Sequence, residues 1–125
     1  MRIPVGAVLM APSSSVATKL YVASYGGEIT SLSLTQHVQG SYNLHKIAST
    51  DACASNPSWL TLDKSGDILY CIGEGLASPT GSLTSFKTDS NGSLSKIAEA
   101  DTILGGVSAV RYGLGGDSSA LAIAH

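Results

Sequence analysis

The chain repeats itself about every fifty residues, and that period constrains its fold more than any other feature. Leu44-His45-Lys46-Ile47-Ala48 returns fifty residues on as Leu94-Ser95-Lys96-Ile97-Ala98. Leu20-Tyr21-Val22-Ala23 returns as Leu69-Tyr70-Cys71-Ile72 and again as Leu121-Ala122-Ile123-Ala124. Ser58-Trp59-Leu60-Thr61-Leu62 has its counterpart in Ser108-Ala109-Val110-Arg111-Tyr112. Short apolar runs at a period of roughly 40 to 50 residues mark β-propeller blades, units that cannot bury their own faces and must stack on neighbours. The predicted fold is therefore all-β, made of blades of four antiparallel strands.

The second repeat is complete and defines the plan. A strand at 58–62 follows the break at Asn56-Pro57, and Asp63-Lys64-Ser65-Gly66-Asp67 carries the Asp and Gly of a tight reversal. The next run, 68–73, is apolar at nearly every position, as suits a strand covered on both faces. A loop with Gly75, Pro79 and Gly81 leads to a strand at 82–87. The turn Asp89-Ser90-Asn91-Gly92 then contains Asn-Gly, the strongest short hairpin signal, before a strand at 94–98. The first repeat supplies matches to the second, third and fourth strands at 20–24, 28–34 and 44–48, with nothing for the first. The third supplies strands at 107–111 and 121–124. About two blades are thus expected, the N-terminal portion of a larger ring whose missing C-terminal blades are needed to close it. Closed propellers have at least about four blades, and open ones expose unpaired strand edges.

Composition narrows the function classes. Of the 125 residues 43% are hydrophobic and 13% charged, with a net charge of −2, so the chain is not disordered and has no basic footprint for nucleic acid or an anionic membrane. No apolar stretch approaches the roughly 18 residues that span a bilayer. Met1-Arg2 followed by an apolar run and Ser15-Val16-Ala17 reads as a signal peptide over 1–17, giving a secreted protein of residues 18–125. The run is short and interrupted by Pro4 and Gly6, which leaves a frayed terminus and a cytoplasmic chain as the alternative. Cys53 lies in a loop and Cys71 in a strand; secretion permits a bridge between them, and two separate thiols are the alternative.

Leu20-Tyr21-Val22-Ala23-Ser24-Tyr25, Asn56-Pro57-Ser58-Trp59-Leu60-Thr61-Leu62-Asp63, Leu69-Tyr70-Cys71 and Gly81-Ser82-Leu83-Thr84-Ser85-Phe86 together resemble the N-terminal blades of lactonase-type seven-bladed propellers. That family includes propeller 6-phosphogluconolactonases and fungal carboxy-cis,cis-muconate cyclases, and the resemblance runs from about Lys19 to His125. It implies a small lactone or carboxylate substrate, hydrolysis or reversible lactonisation, and no metal or organic cofactor. It also implies catalytic His, Arg and Glu groups that come mainly from later blades, so none is carried over and the chain alone is expected to be inactive. Arg111 is the one arginine after Ala17, which is sparse equipment for an anion site. The alternative reading is a non-catalytic propeller that serves as a binding scaffold.

Propeller ligands sit at the channel mouth, on the rim formed here by residues 25–28, 53–57, 74–80 and His125. Glu74 and His125 are the groups there capable of acid–base work, and Asn56 is a candidate substrate contact; a solvated Glu, an exposed terminal His and an Asn that caps the turn before Pro57 are the plainer alternatives. Trp59, on an inner strand, is expected in the core rather than as a stacking platform. Gly113-Leu114-Gly115-Gly116-Asp117 lacks the Lys-Ser/Thr and helix of a phosphate loop, and Asp89-Ser90-Asn91-Gly92 lacks the distant Glu of a calcium loop; both read as turns. No Gly-x-Ser-x-Gly elbow occurs, and the two Cys and three His have no metal-ligand spacing. Asn91-Gly92-Ser93 is an N-glycosylation acceptor, whereas Asn56-Pro57-Ser58 is disqualified by its proline.

Overall fold

A computed structural model describes residues 16–113 and 120–125. The described residues form nine strands: β1 (Val16–Ala23), β2 (Ile29–Gln36), β3 (Tyr42–Thr50), β4 (Pro57–Leu62), β5 (Ile68–Gly73), β6 (Gly81–Thr88), β7 (Leu94–Thr102), β8 (Ser108–Tyr112) and β9 (Ala120–Ala124). They make a three-stranded sheet β1-β2-β3, a four-stranded sheet β4-β5-β6-β7 and a two-stranded sheet β8-β9. Every pairing is antiparallel. The second sheet is the complete blade read from the second repeat, and the first and third sheets are the partial ones. β7 runs on to Thr102, beyond the expected end at Ala98, because its ladder with β6 continues to the pair Gly81↔Thr102 although Glu99 to Asp101 are exposed and lack apolar alternation.

Val16 and Ala17, the last two residues of the expected leader, pair with Gln36 and Thr35 at the start of β1. The rest of that segment, and residues 114–117 of the glycine-rich run, lie outside the described residues. The turn before β5 is fastened by Asp63, whose Oδ1 accepts from the N–H of Asp67 (2.9 Å) and of Ile68 (3.1 Å) while Oδ2 accepts from Ser65 Oγ (2.7 Å). Burial alone would raise this carboxyl; the hydrogen bonds outweigh it and hold Asp63 below its ordinary range.

The core explains the continuous apolar character of β5. Side chains alternate along a strand, so Leu69 and Cys71 face one way and Ile72 the other, and all three are fully or almost fully buried. Leu69 and Cys71 pack with Ile29 from β2, Phe86 from β6 and Cys53, closing the space between the first and second sheets. Cys53 and Cys71 form a disulfide across this space, with Cα atoms 6.1 Å apart and a sequence separation of 18. A bridge around a loop of that size stabilises by about 3 kcal/mol.

The opposite face of β5 meets the third sheet. Ile72 is fully buried, and its Cγ2 would lie 2.8 Å from a methyl group placed on Gly106, so any side chain there would force one of the two to shift. Ser58 Oγ donates to Gly106 O (2.6 Å) and Thr61 Oγ1 to Ala109 O (3.2 Å), tying β4 to the same sheet. Here the expectation for Trp59 is corrected. Trp59 is 43% exposed rather than in the core, and its Nε1 donates to Thr61 Oγ1 at 3.1 Å. Its side chain borders an open groove against β8 and β9 instead of being enclosed.

Candidate functional site

The end of each strand of the second sheet decides what reaches the rim. Asn56 extends the β4–β5 ladder, its carbonyl accepting from the N–H of Glu74 at 3.0 Å, while the carbonyl of Glu74 accepts from Gly105 N–H at 3.0 Å. Glu74 is thereby fixed through its own backbone to the loops on both sides. Asn56 takes the left-handed conformation (φ 58°), which asparagine tolerates better than most residues. Its side chain crosses to the first sheet, Nδ2 donating to Tyr25 O at 3.4 Å.

Tyr25 sits at the tip of the β1–β2 turn, closed by Gly27 N–H on Ser24 O (2.9 Å) and Ser24 N–H on Glu28 O (2.7 Å). The ring is 51% exposed, and its hydroxyl lies near enough to the Glu74 carboxylate to be influenced by it. The Glu74 carboxylate, as an acceptor for the phenol's proton and as a charge, together with some burial, holds the phenol above its ordinary value, because losing the proton would place two anions together. Ser55 Oγ and Ser78 Oγ lie 3.1 Å apart, joining the segment before β4 to the β5–β6 loop. The disulfide anchors the loop that carries Ser55 and Asn56, since Cys53 is bonded to Cys71 in β5.

The candidates named from sequence fall into two places. Asn56 and Glu74 meet, with Tyr25 added as a third member that sequence reasoning placed on the rim without assigning it a role. Asn56 Oδ1 is buried without a hydrogen-bond partner among the described residues, turned into the molecule, so Asn56 braces Tyr25 rather than presenting an acceptor to solvent. His125 belongs to the next loop along, its Nδ1 lying 3.2 Å from Leu104 O, and no described contact joins its ring to Glu74. Glu28 turns to β2 and β3: Thr30 Oγ1 donates to it at 2.6 Å and Lys46 Nζ lies 3.2 Å away, which together hold its carboxyl low.

Chemically, Tyr25 and Glu74 place a half-buried carboxylate near a protonated phenol, able to take a proton from water or to donate a hydrogen bond to a developing oxyanion. Among the described residues no group of three or more His, Cys, Asp or Glu could hold a metal ion, and no helix is long and apolar enough to cross a membrane. A separate apolar groove of about 390 Å³ lies between Trp59 and the third sheet, lined by Ala109, Val110, Ala122 and Ile123 among others. It contains none of the acid–base residues above.

Comparison with curated proteins and with solved structures found no match. Comparison with protein families did: the family described as lactonase, seven-bladed β-propeller matches residues 19–125, and the chain belongs to that family.

Proposed function

We propose that the chain is part of a propeller enzyme that acts on a small lactone or a carboxy-muconate, by hydrolysis or by reversible lactonisation. The observation that carries this reading is the gathering of Tyr25, Asn56 and Glu74 on the rim of a chain of this family. In lactone opening, Glu74 would take a proton from the attacking water while the Tyr25 hydroxyl, turned from Glu74 toward the substrate, steadies charge on the carbonyl oxygen; in ring closure the same groups work in reverse. The cations needed to hold a carboxylate or phosphate come, on this reading, from further blades that close the ring, and residues 1–125 alone are inactive. The disulfide supports export, because such bridges persist in oxidising compartments.

A specific observation favours a second reading. The groove beside Trp59 is apolar and carries no acid–base group, as suits a scaffold that binds without chemistry. The deciding experiment is to read the transcript past the His125 codon and assay the encoded protein on a sugar lactone and on a carboxy-muconate. The enzyme reading expects a frame of about 350 residues, seven periods of fifty, and a loss of about 100-fold in turnover for Glu74→Gln. No turnover of either substrate, or turnover untouched by Glu74→Gln, would favour the scaffold.

A further inference from the structure

The turn between β6 and β7 serves neither the core nor the rim site, yet it carries a chemical motif in a fitting place. Asn91-Gly92-Ser93 is an acceptor sequence with glycine, not proline, at its middle position. The turn closes through Gly92 N–H on Asp89 O (2.8 Å), with Gly92 at φ 92°. One side of it docks on the first sheet, where Lys19 Nζ donates to Asp89 O at 3.2 Å and a methyl on Gly92 would lie 2.9 Å from Ile47 Cδ1. The other side, Ser90 and Asn91, is exposed.

Asn91 Oδ1 accepts from Ser93 N–H (2.9 Å) and Ser93 Oγ (2.7 Å), and the side-chain nitrogen enters neither bond. The Cys53–Cys71 disulfide is an independent observation pointing to the oxidising secretory compartment, which is where asparagine is glycosylated. We propose that Asn91 carries an N-linked glycan on the rim opposite Glu74.

The chemistry is a transfer without redox change. Asn91 Nδ2 forms a bond to the anomeric carbon of a lipid-pyrophosphate-linked oligosaccharide, and the bond from that carbon to the pyrophosphate oxygen breaks. The lipid pyrophosphate leaves with the electron pair and the amide loses one proton to the medium. The acceptor is read in the extended chain during translocation, so the folded turn has only to tolerate the product. β6 spans eight residues, which places the glycan about 25 Å from the Glu74 end, clear of a substrate approaching that rim.

The inference rests on the export reading, and the test separates the two. The chain, with its own N-terminus, is produced in a eukaryotic secretory cell; its thiols, its location and its sensitivity to a peptide N-glycosidase are read separately. The expected result is a secreted, thiol-free chain whose gel mobility rises on glycosidase treatment as Asn91 is converted to aspartate. Asn91→Gln abolishes that shift and Ser93→Thr preserves it. A secreted, oxidised chain insensitive to the glycosidase overturns the glycan and leaves export standing. A chain retained in the cytosol with free thiols overturns both.

Discussion

The two junctions that flank the second sheet are built differently, although the same strand, β5, supplies the centre of each. On the first-sheet side, Leu69 and Cys71 meet Ile29, Phe86 and Cys53 in a closed apolar layer bridged by a disulfide. On the third-sheet side, Ile72 meets Gly106 in a close approach of backbone, two hydroxyl-to-carbonyl hydrogen bonds hold β4, and Trp59 remains 43% exposed. The difference teaches where precision can be expected. Asn56, Tyr25 and Glu74 gather above the closed junction, whereas His125 hangs from the open one. A site that must hold two groups in fixed relation needs the more rigid of the two supports.

The largest expected effect comes from emptying the closed junction. Phe86→Ala should destabilise the chain by about 3–5 kcal/mol in denaturant unfolding, because a fully buried ring leaves a cavity that a bridged layer cannot collapse around. Trp59→Ala at the open junction should cost clearly less despite the larger ring; equal losses would erase the distinction. Replacing both cysteines by serine should cost about 3 kcal/mol, the closure term for this loop. It should also disturb the ring signals of Tyr25 more than those of His125.

A smaller effect tests the open side. Gly106→Ala drives a methyl into Ile72 Cγ2 and should cost about 1–3 kcal/mol, unless that junction gives way. Full tolerance of the methyl would mean that the third sheet packs more loosely than its geometry indicates. The smallest effect is electrostatic. The Tyr25 phenol should titrate above its ordinary value in nuclear magnetic resonance, and Glu74→Gln should bring it back down. Because the folded state favours the protonated phenol, this contribution to stability is present below the ordinary tyrosine range and is lost as pH rises through the raised value.

Much of the fold was legible because blade strands are local objects. The fifty-residue recurrence, Asn-Gly in the Asp89–Gly92 turn and the Asp63 turn each specify a reversal without reference to distant residues, and β5 announced its double burial by apolar residues at both parities. The exposure of Trp59 was not legible because it depends on how the third sheet packs against β4, which the residues of β4 do not encode. The Cys53–Cys71 pairing stayed open because a loop residue's direction depends on packing. The rim was only half legible: Glu74 and Asn56 stood out by residue type in loops, but Tyr25 joins them through a turn of another blade some fifty residues earlier, and no spacing rule links the three.

The most direct test uses the backbone of Glu74, which bonds to one loop on each side. Its N–H donates to Asn56 O next to the closed junction, and Gly105 N–H donates to its carbonyl at the open one, both at 3.0 Å. Native-state amide hydrogen exchange compares them at matched geometry. The account predicts that Glu74 N–H exchanges at least about tenfold more slowly than Gly105 N–H, a difference of about 1.4 kcal/mol in local opening. Equal protection, or faster exchange at Glu74, would contradict the claim that the site stands on the more rigid junction.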